Sequence, residues 1–183
     1  MAETPAKKLE TSAKKQQENS DKAPMPIDRE AEHLEALLRH IKLVQDACLL
    51  LGQRLTKNGE VEFGKKLIAD SLLHDNSKFY GIEWKYMRNG DKEENKEMFM
   101  LAIEQHVTTN EHHPEHWGGL DSMPRIYVAE MVCDLYARST EFGTDLRAYV
   151  KEVFLPKHNI SVNSKKYKEM KYFIDLLLEK PFK

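Results

Sequence analysis

The stretch Leu34-Glu35-Ala36-Leu37-Leu38-Arg39-His40-Ile41-Lys42-Leu43-Val44-Gln45-Asp46-Ala47-Cys48-Leu49-Leu50-Leu51-Gly52-Gln53-Arg54-Leu55 decides the fold class. Leu34, Leu37, Leu38, Ile41, Val44, Cys48, Leu51 and Leu55 recur at spacings of three and four, the period of a helix that buries one stripe. This helix is predicted to start near Arg29 and to end at the turn residues Lys57-Asn58-Gly59. His40 falls beside the apolar stripe, and His33 lies seven residues earlier on nearly the same face.

The same period recurs downstream. A second helix is predicted from about Glu60 to Lys78, carrying Leu67, Ile68, Leu72 and Leu73 and bringing His74-Asp75 to its C-terminal end. Residues 79–92 read as a short helical turn and a loop, and a third helix follows from about Lys92 to Val107, with His106 on its apolar side. Thr109 to Leu120 is loop-like, with Pro114 and Gly118-Gly119. Asp121-Ser122-Met123-Pro124 reads as a helix start, with a capping oxygen and a proline in the first turn, for a fourth helix reaching about Thr140. A fifth, from about Asp145 to Phe154, is expected to stop before Pro156, and a sixth runs from about Ser164 to Glu179. No segment alternates as a strand does, so the fold class is all-α, a helical bundle over residues 29–183. Residues 1–28, rich in Lys, Glu, Gln and Ser and nearly without large apolar side chains, read as a disordered tail.

At 40% apolar and 32% charged residues, the 183-residue chain has the composition of a soluble domain, and its formal charge of -2 argues against a general nucleic-acid or membrane surface. Cys48 and Cys133 sit inside apolar helical patterns and read as buried free thiols, which fits a reducing cytoplasm. No apolar run approaches the ~20 residues that span a bilayer, and no signal-like segment opens the chain, so a cytoplasmic location is expected.

The polar residues on inward faces are His40, His74-Asp75, His106, His112-His113 and Asp134. Each comes from a different helix or from the loop between two, which is how helical bundles assemble metal sites. Adjacent positions on a helix point about 100° apart, so His74 and Asp75 can serve one ion only at a helix end or kink. On the fourth helix Asp134 has Glu130 and Arg138 as neighbours one turn away, and a salt bridge to one of these carboxylates would account for Arg138. Lys78 is either a phosphate contact or a cation at a helix C-terminus. Glu83 and Glu115 are read as surface charges that could otherwise act as a base or a supporting partner. His33 and His158 read as structural or exposed, His116 as an exposed loop residue, and Trp117 as packing its loop on the core.

The order His, then His-Asp, then a later Asp resembles the HD-domain superfamily of metal-dependent phosphohydrolases, whose ligands lie on helices of an all-α bundle. His40, His74, Asp75 and Asp134 match that pattern, within roughly residues 29–147. Two-metal branches add one histidine on the helix after the pair and another in the following loop, where His106 and either His112 or His113 stand. The His-Asp-x-x-Lys string closed by Lys78 and the double histidine are similar to the cyclic-dinucleotide phosphodiesterase branch. The Gly-Tyr-Pro triplet of that branch is absent, however, and only five residues separate His106 from His112. A small uncharacterised family is similar in more detail: His40-Ile41 with Val44, His74-Asp75 with Ser77-Lys78-Phe79, Glu83 with Tyr86, and Asn110 with His112-His113 and Trp117.

The HD resemblance implies one or two divalent cations, with Mn, Fe, Mg, Co and Zn all compatible, held by His40, His74, Asp75, His106, His112 or His113, and Asp134. It also implies hydrolysis of a nucleotide or other small phosphate ester, with Asp75 bridging two ions, Lys78 facing the phosphate and Arg138 as a second cation. Two other readings share the ligand set: an HD-fold di-iron oxygenase and a non-catalytic metal-containing binding module.

Overall fold

The computed structural model of the protein describes residues 27–87 and 95–179. The chain divides into two compact units, Met1–Glu32 and His33–Lys183. Of the first, residues 27–32 are described and are helical. The tail expected over residues 1–28 therefore lies outside the described residues except for Ile27 and Asp28, which are helical, and the end of the segment expected over residues 79–92 lies outside them too, with the expected start of the third helix near Lys92.

Eight α-helices are described: α1 (Ile27–Lys57), α2 (Val61–Asp70), α3 (Gly81–Tyr86), α4 (Lys96–Thr109), α5 (Arg125–Phe142), α6 (Leu146–Tyr149), α7 (Leu155–Lys157) and α8 (Lys165–Leu177). No strand occurs among the described residues, and the fold is all-α. No helix among them is long and apolar enough to cross a membrane.

In α1 the stripe from Leu37 through Ile41, Val44, Cys48 and Leu51 to Leu55 is buried, whereas Leu34 and Leu38, on the same predicted stripe, are exposed. The helix ends as expected at Asn58-Gly59, with Gly59 at φ +89. α1 and α2 meet backbone to backbone at two glycines. A Cβ on Gly52 would stand 2.7 Å from Ile68 Cγ1 and 2.8 Å from the Gly64 carbonyl oxygen, and one on Gly64 would collide with the Gly52 carbonyl oxygen. Backbone cannot swing aside as a side chain can. Gly64→Ala is therefore expected to destabilise the protein by about 1–3 kcal/mol, because overpacking outweighs the better helix propensity of alanine. A lower urea midpoint at unchanged slope would show it.

α5 is the central helix. Ile126, Val128, Ala129, Met131, Val132, Cys133 and Ala137 are all buried, more than one stripe can supply, and α5 packs against both α2 and α8. Cys133 and Cys48 are free and buried. Burial, together with the Cys48 thiol beside it, pushes the Cys133 thiol well above its usual pKa. Below α5, Phe173 of α8 stacks on Phe63 of α2, with ring centroids 6.0 Å apart. Arg54 ties the ends of α1 and α8 together by donating to the Leu176 carbonyl and, at 2.9 Å, to that of Glu179.

Three expected boundaries shift. α2 ends at Asp70 rather than Lys78. α5 starts at Arg125 with Pro124 as its cap, so neither Asp121 nor Ser122 caps it, and both lie in the 3-10 turn Leu120–Ser122. The fifth segment does not stop before Pro156. It passes from α6 through a π turn, Val150–Phe154, into α7, which contains the proline. Pro156 has no N–H to give and its ring crowds the carbonyl four residues back, a conflict that a widened turn relieves.

Candidate metal centre

After α2 the chain turns once in a 3-10 helix, Ser71–Leu73, and then breaks: His74 is extended (φ -52, ψ 130) and Asp75 is left-handed (φ 56, ψ 17). Asp75 is one of two non-glycine residues among the described ones with positive φ, a conformation that aspartate tolerates better than most. The break replaces the helical 100° step between neighbours, so the side chains of His74 and Asp75 converge. Leu72 and Leu73, in the 3-10 turn just before the break, face outward at 69% and 71% exposure. Asn76–Phe79 forms a second 3-10 turn that brings Lys78 back over Asp75.

The seven residues read as ligand candidates come together around the Asp75 carboxylate. His40, His74 and Asp134 form one group able to hold a metal ion, and Asp75, His106, His112 and His113 form another. His40 Nε2 lies 3.1 Å from Asp134 Oδ1 and 3.6 Å from Asp75 Oδ2, and His74 Nε2 lies 3.6 Å from that same oxygen. The other oxygen, Asp75 Oδ1, is 3.3 Å from His106 Nε2 and 3.5 Å from His112 Nε2. His113 Nε2 is 3.0 Å from His106 Nε2. The two oxygens of one carboxylate thus face two separate donor sets. Both His112 and His113 belong to the second group.

Three carboxylates stand behind these rings. Glu130 Oε1 is 3.0 Å from His74 Nδ1 and Glu83 Oε2 is 2.8 Å from His106 Nδ1, both hydrogen bonds, while Glu141 Oε2 lies 3.3 Å from His40 Nδ1 without hydrogen-bond alignment. An acceptor at Nδ1 fixes the proton there and leaves Nε2 a bare lone pair, the tautomer a metal needs. Glu83 is 1% exposed and so is not a surface charge. It also accepts from Ser77 Oγ at 2.8 Å, and Asn110 Nδ2 donates to that hydroxyl at 2.9 Å. Glu83, whose alternative reading was a supporting partner, is the scaffold of His106 together with Ser77 and Asn110, which stood out only as motif residues.

Buried polar atoms without partners show what the arrangement lacks. Among the described residues, every buried side-chain N or O lacking a hydrogen-bond partner lies here: both nitrogens of His40, Nε2 of His74 and of His112, Oδ1 of Asp75 and Oδ1 of Asp134. Each such atom costs about 1–3 kcal/mol if nothing answers it, so this cluster would consume a large part of a domain's net stability of about 5–15 kcal/mol. A cation accepting these lone pairs removes the cost, and the donor set fits a divalent ion.

The electrostatics keep the histidines of the second set and both aspartates in ligating form. Burial, reinforced by Lys78, lowers the His106 pKa to about 2. Burial and neighbouring imidazoles bring His112 and His113 to about 4. These rings are neutral at pH 7. Burial opposes ionisation of Asp75 and Asp134, but Lys78 and the imidazoles around the one, and His40 and its neighbours around the other, hold both well below the usual carboxylate range. Burial also disfavours a charged His74, yet Asp75, Glu130 and Asp134 together raise its pKa.

Lys78 Nζ donates to Asp75 Oδ2 at 2.6 Å and is 14% exposed, so it is not a solvated helix-end lysine. Arg138 pairs with Glu141 at 3.0 Å, not with Glu130 or Asp134. Both line a cavity of about 190 Å³ with His33, Leu37, His40, Glu83 and Met87. A second cavity, of about 370 Å³, reaches His74 and His112 between Asp70, Asn110, Glu111, His116, Tyr127 and Glu130. Outside the centre, Glu115 pairs with Lys157, His158 packs on Phe154, and His116 is exposed. Trp117 stacks on Tyr127 and donates to the Glu111 carbonyl, which packs its loop as expected.

The candidate residues on α1, α4 and α5 and in the two loops lie within residues 29–176, the range matched by the model of a family of unknown function. No curated protein and no solved structure matches the chain. The match spans most of the sequence and runs through α8, past the part that carries the motifs, and on that extent the chain belongs to DUF5662, a family of unknown function.

Proposed function

We propose that the chain is a metal-dependent phosphohydrolase acting on a small phosphate ester. One observation carries this reading: Lys78 and Arg138 line the same small cavity as His40, so two permanent cations border the candidate metal centre. Cations beside a metal position attract an anion that reaches both. The other cavity has Asp70, Glu111 and Glu130 in its wall and no lysine or arginine, and it would repel one. The HD-type order of His40, His74-Asp75 and Asp134 supports the same chemistry.

Two ions fit the donors, one at His40, His74, Asp75 and Asp134 and the other at Asp75, His106, His112 and His113. So many imidazoles suit Mn, Fe, Co or Zn better than Mg, which prefers oxygen. A bound divalent ion supplies Lewis-acid polarisation of a phosphoryl group and water acidic enough to react near neutral pH. The chain's own residues do the rest. Asp75 spans the two positions with its two oxygens. Lys78 has three N–H donors and spends one on Asp75, which leaves two for a phosphate oxygen. Arg138 holds Glu141 through Nη1 and keeps other donors free for the same anion.

The test is elemental analysis of protein purified without chelator, followed by a panel of phosphomonoesters and phosphodiesters with added Mn²⁺. Turnover that a chelator abolishes and Mn²⁺ restores is expected. Oxygen uptake by an iron-loaded protein without phosphate release would favour the oxygenase instead, and bound metal with neither activity would favour a binding module.

A further inference from the structure

We propose that Glu130 is a positioning residue shared by both ion positions, a single carboxylate that aims one histidine of each. The inference rests on the two-ion reading. Glu130 lies on α5 one turn before Asp134 and is 6% exposed. Its Oε1 is 3.0 Å from His74 Nδ1, a hydrogen bond, and 3.7 Å from His112 Nδ1. The two rings sit 4.3 Å apart, tilted by 40°, and His112 Nδ1 stands just beyond hydrogen-bond distance of the oxygen that accepts from His74. His74 belongs to the first donor set and His112 to the second, and these two with Glu130 form a third group whose spacing could itself hold a metal ion; Glu130 is assigned as support because its Oε1 is hydrogen-bonded to His74 Nδ1.

The other two carboxylates are not shared in this way. Glu141 reaches His40 alone among the candidate ligands, and Glu83 reaches His106 alone. The geometry therefore divides the support: Glu141 for the first position, Glu83 for the second, Glu130 for both. An imidazole that ligates through Nε2 carries its proton on Nδ1, and inside the protein that N–H requires an acceptor. One carboxylate oxygen has two lone pairs and can accept from both rings. Its charge also raises the basicity of both Nε2 atoms.

The experiment titrates the full-length, chelator-stripped protein with Co²⁺, following calorimetry and the visible d–d absorption. Glu130→Gln is expected to weaken both ions by about 10–100-fold, while Glu83→Gln and Glu141→Gln each weaken one and spare the other. Glu130→Asp, which restores the charge on a shorter arm, is expected to recover part of the affinity at both positions and to serve in place of Glu130→Gln should the helical circular dichroism of that variant differ from wild type. Loss at one position only, or at neither, overturns the shared role. A wild-type protein that binds fewer than two ions overturns the two-ion reading itself and the inference with it, a result seen before any variant is made.

Discussion

Asp75→Asn is expected to empty both ion positions and to lower any metal-dependent hydrolysis by more than about 10³-fold, equivalent to about 4 kcal/mol of lost transition-state stabilisation. Asparagine is the informative replacement because it occupies the left-handed conformation at φ 56 as readily as aspartate, so the turn that aims His74 survives. What changes is chemistry alone. One oxygen becomes an amide that cannot ligate, the bridging charge is gone, and Lys78, 2.6 Å away, loses its counter-ion. Elemental analysis and the phosphoester panel on the same preparation check the outcome. Full metal content in this variant would remove Asp75 from the centre, and full activity without metal would remove the metal from the reaction.

Phe173→Ala is expected to cost about 3–5 kcal/mol of stability while leaving metal content per folded chain unchanged. The ring is fully buried, stacked on Phe63, and has the Arg125 guanidinium 4.9 Å from its centroid. Arg125 is itself held by Glu60 at 2.5 and 3.2 Å, and Tyr172 donates to the same carboxylate at 2.7 Å. Truncation leaves a cavity under α5 and removes one face of that cation's packing. No residue of α8 belongs to the donor sets, so stability and metal binding separate here. Chemical denaturation gives the first quantity, and metal analysis of the folded fraction the second. A loss below about 1 kcal/mol would mean that the core closes over the gap.

Helix after helix was legible because the period that signals it is local: the α1 stripe and the Ser164 start of α8 are set by residues a few positions apart. The side chain of Ser164 accepts from the Tyr167 N–H at 3.1 Å, as a capping serine should. Where expectations failed, the cause was not in the period. Leu72 and Leu73 were expected on α2, yet α2 ends at Asp70 and both lie in the 3-10 turn that follows, facing outward. Glu83 stood in the matched motif, but nothing in its position along the chain pointed to His106, its partner on another helix. Glu141 did carry one, seven residues beyond Asp134 on the same helix face, and so did Glu130, four residues before it.

By itself, the order of residues along the chain determined that it is helical and which side chains have metal-binding chemistry. Helical period and side-chain type are properties of short stretches, and they need no knowledge of what packs against them. The tertiary structure alone decided that both His112 and His113 belong to the second group, that Asp75 turns one oxygen to each donor set, and that three glutamates stand behind the imidazoles. Those outcomes depend on directions in space set jointly by several helices and by a left-handed residue at a helix break, and no spacing within a single segment encodes them.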